Sequence, residues 1–387
     1  MPVISLPTSD GALEPFETSP PRDFESRKNG AFNRVALAAA HVVADPLADV
    51  DPWLEPAIDW ERTLAYRHYL WQLGLGVAEA MDTAQRGMGL DWTGALELVR
   101  RSVAAARDVP GAVIACGAGT DHLAPDPNLT LDRVIAAYEE QVSAVEAAGG
   151  RIILMASRAL AACAKGPDDY AQVYGRILEQ VREPVIIHWL GEMFDPALEG
   201  YWGSGDHWQA METCLEILEA HNAKIDGIKI SLLSKEKEIA MRRRLPEVLR
   251  MYTGDDFNYA ELIAGDGSGY SDALLGIFDP IAPAASAALA ALSRGSLNEF
   301  HDILAPTVAL SRHVFKAPTR FYKTGIVFMA YLNGHQDHFV MVGGQQSARS
   351  LPHLAGLFRL ADAAGLLRDP DLASARMRDM LRVHGVT

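Results

Sequence analysis

The chain has 387 residues, 49% of them apolar, with a net charge of −15, enough for one large core with an appended segment or for two small domains. Its only basic tract is Arg242-Arg243-Arg244, which argues against nucleic acid as a partner, because neutralising phosphates needs a basic surface. Cys116, Cys163 and Cys214 lack Cys-x-x-Cys spacing, and no basic leader or membrane-length apolar run is present, so the expectation is a cytoplasmic protein without disulfides, thiolate metal site or membrane partner.

Residues 1–33, rich in Pro, Ser and acidic side chains, are expected to form an irregular arm lying on the body or on a neighbouring subunit. From residue 34 onward, short apolar runs alternate with stretches of helical period, the mark of repeated βα units. Strands are expected over residues 35–42, 76–81, 112–116, 151–156, 184–189, 225–230, 261–264 and 275–281. Amphipathic helices are expected over 92–106, 131–148, 168–181, 210–220 and 235–251, with only 271–275 left as a stunted helix before the last strand. Eight such units close naturally into a (β/α)8 TIM barrel spanning residues 34–283. An open doubly wound sheet would carry a glycine fingerprint after its first strand, and His41-Val42-Val43-Ala44-Asp45 holds none. Beyond 284 the strand signals stop, and helices over 284–293, 297–311, 320–332, 352–364 and 370–383 make residues 284–387 a C-terminal helical extension. It has three places to go: the outside of the barrel, an oligomer contact, or the active-site face.

Lys229 stands out in Ile225-Asp226-Gly227-Ile228-Lys229-Ile230-Ser231. In a buried parallel strand its ammonium must point into the barrel or a pocket, where desolvation disfavours the charged form. An amine nucleophile needs that: at a pKa of about 10.4 only about one lysine in 2,500 is neutral at pH 7, and lowering it to roughly 7.5 costs about 4 kcal/mol. The plain alternative is a lysine that snorkels to the strand end. His188, after Val185-Ile186-Ile187, also interrupts an apolar strand, one strand earlier, so its imidazole is placed to relay protons to the amine. Other polar residues fall at expected C-terminal strand ends, where TIM-barrel sites lie: His41, Asp45, Asp82, Thr83, Thr120, Asp121, His122, Ser157, Arg158, Glu192, Ser231, Asp266 and Ser268. Gly265-Asp266-Gly267-Ser268-Gly269 would leave backbone N–H groups free for an anion or a sugar hydroxyl. A metal reading also exists, with His188 and Glu192, or His335-Gln336-Asp337-His338, as ligands.

The ordered pattern resembles the dihydrodipicolinate synthase and N-acetylneuraminate lyase family of class I aldolases. Gly227-Ile228-Lys229 stands where that family has its Schiff-base lysine, and Pro184-Val185-Ile186-Ile187-His188-Trp189 where a strand ends in its catalytic tyrosine. Ile263-Ala264-Gly265-Asp266 resembles the glycine and aspartate after its seventh strand. Leu275-Gly276-Ile277 and Ile281-Ala282-Pro283 resemble its closing segment, and Tyr322-Lys323, Tyr331-Leu332-Asn333-Gly334 and Ala363-Ala364-Gly365-Leu366-Leu367 its C-terminal helices. The departures are equally specific. The tyrosine is His188, the family's Gly-Thr-Thr-Gly-Glu loop is Met81-Asp82-Thr83-Ala84-Gln85, and its carboxylate-binding arginine is Met193 beside Glu192. Arg86 and Arg158 are left as the candidates to hold an anion.

The resemblance implies a homo-oligomer, dimer or tetramer, and a lyase or aldolase in which Lys229 forms an imine with a 2-oxo acid or sugar-derived carbonyl compound, without a cofactor. His188 is the expected acid/base; Asp82, Thr83, Ser231, Asp266 and Ser268 are the expected substrate contacts. The competing readings are a metal-dependent sugar isomerase or epimerase on the same barrel, and a barrel that binds a metabolite without turning it over.

Overall fold

A computed structural model describes residues 1–8, 10–24 and 32–386. The arm expected to be irregular contains an antiparallel hairpin, β1 (Val3–Pro7) and β2 (Leu13–Glu17). Ile4 and Leu6 are buried on one face, and Arg359 and Arg378 donate to the carbonyls of Pro7 and Val3, tying the hairpin to the end of the chain. Residues 25–31 of that arm lie outside the described residues.

Eight parallel strands follow: β3 (Ala36–Ala39), β4 (Gly76–Glu79), β5 (Ile114–Ala118), β6 (Arg151–Leu154), β7 (Val185–Leu190), β8 (Ile225–Ser231), β9 (Arg250–Thr253) and β10 (Asp272–Leu275). They close into a barrel, with β10 pairing both β9 and β3. Helices α1 (Trp60–Gln72), α2 (Trp92–Arg107), α3 (Leu131–Ala148), α4 (Arg158–Cys163), α5 (Pro167–Gln180), α6 (His207–Ala220), α7 (Lys235–Arg242) and α8 (Tyr259–Ala264) fall between the strands. The (β/α)8 barrel is therefore present, and the side-chain alternation explains its packing. Val185, Ile187, Trp189, Ile228 and Ile230 face the helices, whereas Leu37, Ala39, Ala78, Ala115, Ile153, Ile186, Tyr252 and Leu274 fill the lumen as a separate cluster.

Two strands sit elsewhere than expected, the seventh and the last, and of the expected 275–281 only Leu275 is strand. Residues 261–264 belong to α8, the seventh strand is β9, and residues 271–275 hold the last strand rather than a stunted helix. The physical reason is Pro246: it has no N–H to continue a helix, so the expected helix over 235–251 stops at Arg242, freeing Arg250–Thr253 to pair with β8 and β10.

The C-terminal extension comprises α9 (Ala282–Ser293), α10 (Leu297–Val314), α11 (Tyr322–Leu332), α12 (Leu351–Ala363) and α13 (Pro370–Val383). Of its three possible destinations, α11 takes the C-terminal face of the barrel: the Tyr322 hydroxyl hydrogen-bonds Thr83, just beyond β4. Among the described residues no helix is long and apolar enough to cross a membrane.

Candidate active site

Lys229 lies on β8 in register with His188 on β7 and Tyr252 on β9. Ile228 and Ile230 point outward to the helices, so alternation turns Lys229 and Ser231 inward. The side chain is 7% exposed, and that remainder faces a cavity of about 10 Å3, room for about one water, lined by Lys229, Asp82, Thr83, Ser231, Asp256 and Tyr322 among others. Burial pulls the ammonium pKa below its ordinary value, and the negative charges of Asp82 and Asp256 oppose that pull.

Gly254, immediately after β9, makes the close packing here possible. A Cβ on it would lie 2.8 Å from Lys229 Cε and 2.3 Å from Ser231 Oγ. The next two residues divide their work. Asp255 accepts from the amides of Phe257 (2.9 Å) and Asn258 (3.1 Å), bracing the turn into α8. Asp256 is buried, accepts from the Ile277 amide at 2.8 Å and lines the lysine cavity; burial lifts its pKa to about 7, partly offset by that amide and by Lys229.

Tyr322 closes the cavity from the extension. Its ring stacks on Phe315 with centroids 4.4 Å apart, and its hydroxyl and Thr83 Oγ1 are 2.9 Å apart. Burial, with Asp82 and other carboxylates adding to it, holds the phenol well above its ordinary pKa, so it stays protonated. His188 Nε2 is 3.3 Å from Ser231 Oγ and Nδ1 has no partner among the described residues. Burial first, then Lys229, hold the imidazole pKa well below 6.5, so it is neutral at pH 7.

A mouth cavity of about 60 Å3 adjoins the lysine cavity, sharing Asp82 and Leu190 with it and reaching His188, Arg86, Asp121, Arg158 and Asp195. Arg86 is spoken for by Asp121 at 2.7 Å and by Gln141, and Arg158 by Asp195. Three larger cavities lie away from Lys229: one of about 340 Å3 against α1 and α11, one of about 640 Å3 around Arg34 and Arg250 at the opposite end of the strands, and one of about 340 Å3 between α3 and α5.

The structure thus brings together Lys229, His188, Asp82, Thr83 and Ser231. It does not bring Asp266 and Ser268 with them. Both lie in the turn between α8 and β10, which leads into the N-terminal end of a strand, and Asp266 there binds Arg242 (3.0 Å) and Arg243 (3.2 Å). Their placement is corrected for the same reason as the seventh strand: the glycine and aspartate that follow it are Gly254-Asp255-Asp256. The candidate metal pairs are also separated. Glu192 binds His207 at 3.1 Å rather than His188, His335 packs between Tyr66 and Tyr69, and Asp337 pairs with Arg62 and Arg376. Among the described residues no three His, Cys, Asp or Glu side chains converge as a metal site.

Two residues of the cavity were not reached from the sequence. Asp256 was masked by the displaced strand, although Met251-Tyr252-Thr253 followed by Gly254 is a readable strand end. Tyr322 is 239 positions from Thr83, and no local pattern announces that contact.

The architecture defines a TIM barrel, and solved structures share that fold. The chain is similar to YagE of E. coli K12, a prophage protein of the dihydrodipicolinic acid synthase family solved with pyruvate, at 12% identity and TM-score 0.63, over 92% of this chain and all of that one (100%). It is similar to the dihydrodipicolinate synthase of Acinetobacter baumannii complexed with pyruvate, at 14% identity and TM-score 0.62, over 86% and 99%. It is also similar to that of Aquifex aeolicus, at 11% and 0.59, over 91% and 98%. By sequence the chain belongs to the family described as "Protein of unknown function (DUF993)", matched over residues 4–386. No curated protein matches it.

Proposed function

We propose that the protein is a Schiff-base-forming lyase or aldolase acting on a 2-oxo acid or sugar-derived carbonyl compound, with Lys229 as its nucleophile. The observation that carries this reading is the Lys229 amine itself: inward on β8, buried, and lining a cavity in which it has no ion-pair partner among the described residues. A charged lysine so placed would be costly, and a neutral one is reactive.

The chemistry follows from the lining. The neutral amine attacks the carbonyl carbon; an N–C bond forms and the carbonyl oxygen takes a proton, giving a carbinolamine. A second proton on that hydroxyl lets water leave as the C=N+ bond forms. The iminium then accepts the electron pair of an adjacent C–C or C–H bond, which is aldol cleavage, its reverse, or the first step of dehydration. Asp256, with a pKa near 7, is matched to give and take these protons at neutral pH, and it takes over in this reading the acid/base role first expected of His188. The protonated Tyr322 hydroxyl, held by Thr83, is a donor toward the oxygen where charge develops. Neutral His188 then serves with Ser231 as a polar wall. Two carboxylates facing the amine disfavour a small dianion and suit hydroxyl groups instead.

Borohydride reduction in the presence of carbonyl compounds tests the reading. A mass increment on the peptide carrying Lys229, absent in Lys229→Met, is the expected result. No adduct on Lys229 across 2-oxo acids, ketoses and aldoses would overturn it.

A further inference from the structure

The cavity of about 340 Å3 against α1 and α11 shares no lining residue with either cavity near Lys229. Its roof is the N-terminal arm, from Pro21 to Phe24, and the arm is held down over it. The Ser19 amide donates to Asp362 at 2.8 Å and the Arg22 amide to the Gly365 carbonyl at 3.1 Å. Gly365 has φ +69°, and a Cβ there would stand 2.4 Å from Arg22 Cγ and 2.8 Å from Arg22 Cβ, so glycine is what lets the arm lie this low.

The walls are ring faces. Tyr66, Tyr69, Phe24 and His335 supply aromatic ones, and three prolines add aliphatic ones. The His335 ring stands edge-on to Tyr66, with centroids 4.9 Å apart, and its centroid is 4.6 Å from that of Tyr69. Burial first, then Arg368, draw its pKa down to about 3, so at pH 7 it is a neutral wall.

The polar groups are few and unevenly occupied. Asp279, 1% exposed, has both carboxylate oxygens taken: Oδ2 by the His41 amide and Nδ1, each at 2.8 Å, and Oδ1 by the Tyr66 hydroxyl at 3.1 Å. The Asn333 side chain is likewise used, by the Arg368 amide at 2.9 Å and the Met329 carbonyl at 3.2 Å. A cation or a polyol would therefore find few free partners. Arg22 and Arg368 differ, because among the described residues neither guanidinium has a carboxylate partner. Arg22 donates only to the Asp302 carbonyl, at 3.4 Å, and the Arg368 guanidinium reaches only His335 Nε2, at 3.5 Å. Exposed Asp23 is the one carboxylate lining the cavity beside them that is not already occupied.

We infer that this cavity is a second small-molecule site, which binds a one- or two-ring aromatic compound carrying one carboxylate, its ring against Tyr69, His335 and Phe24 and its anion on Arg368 and Arg22. Two guanidiniums against one free carboxylate leave a single positive charge, which suits a carboxylate better than a phosphate dianion. Size agrees: a cavity of roughly 150 Å3 already holds benzene, and ligand pockets run from roughly 300 to 1,000 Å3. The inference stands apart from the imine chemistry, although one short segment serves both cavities. Gly276 lines that of Lys229 and the Ile277 amide holds Asp256, whereas Asp279, Pro280 and Pro283 line this one. A ligand here would touch the segment that holds Asp256.

Isothermal titration of the full chain with benzoate and 2-naphthoate tests the site, with benzamide and 2-naphthamide as uncharged counterparts and acetate as the anion without a ring. At least one aromatic carboxylate is expected to bind once per chain, at least tenfold more tightly than its amide and than acetate. Arg368→Gln, at an exposed position, should weaken that binding at least tenfold, and Arg368→Lys should keep part of it. Tyr69→Leu should weaken it by removing a ring wall, and Lys229→Met should bind as the wild type does. No saturable binding of either carboxylate, equal affinity for the amide, or an affinity unchanged in both Arg368→Gln and Tyr69→Leu would overturn the site. Loss of binding in Lys229→Met would overturn it as well, because it would put the anion inside the barrel.

Discussion

Gly254 and Lys229 are packed so closely that even a methyl group on the glycine would stand 2.8 Å from the lysine Cε. The same methyl would meet Ser231 Oγ at 2.3 Å and the Ile230 carbonyl at 2.6 Å, and the carbonyl belongs to the strand itself and cannot swing aside. The end of β9 is therefore shaped around the lysine stem.

Gly254→Ala should displace Lys229 or push β9 away from β8. The expected result is a destabilisation of about 1–3 kcal/mol from overpacking, read by urea denaturation, together with at least a tenfold fall in borohydride trapping. Wild-type trapping in a folded Gly254→Ala protein would show that the amine does not work where it lies.

The amine should titrate below an ordinary lysine. Burial lowers its pKa while Asp82 and Asp256 raise it, so removing either charge leaves the lowering less opposed. The rate of imine formation should climb with pH as the amine loses its proton, and Asp82→Asn should move the midpoint of that climb to lower pH. A midpoint unmoved, or moved upward, would mean that Asp82 does not face the amine.

Much of this site was readable from residue chemistry alone. Lys229 and His188 announced themselves because each breaks an apolar strand, and alternation then fixes which way each points. The strand at Arg250–Thr253 was hidden because the apolar run at 261–264 fits a strand just as well; periodicity cannot separate one turn of buried helix from a short buried strand. Pro246 was the local sign that the preceding helix had ended. Tyr322 reaches the cavity only because the extension folds back over the barrel, a tertiary fact with no local signature.

Tyr322→Phe removes a hydroxyl and leaves the stack on Phe315 in place. Turnover on whatever substrate proves active should fall about 10²–10³-fold, the usual worth of a hydrogen-bond donor aimed at developing charge, with little change in melting temperature. Thr83→Val should produce part of the same loss. Because the two hydroxyls share one hydrogen bond, the double variant should be no worse than Tyr322→Phe alone. Additive losses would show that they act separately.

Glu238 offers a test of the fold that leaves the lysine cavity untouched. It is buried beneath β9 and accepts from Thr253 Oγ1 at 2.9 Å and Ser271 Oγ at 2.7 Å, and burial lifts its pKa from 4.5 to about 8. The folded protein therefore holds this proton more tightly than the unfolded chain does. Between about pH 4.5 and 8 the unfolded chain releases it first, so the contribution of Glu238 to stability is full below that window and is lost as pH rises through it. Glu238→Gln mimics the protonated carboxyl and cannot ionise, so it should match the wild type near pH 4.5 and exceed it near pH 8, by up to roughly 3–5 kcal/mol. Urea midpoints measured at both pH values decide the matter: two curves that run parallel across the window would mean that the carboxyl ionises freely in the folded protein.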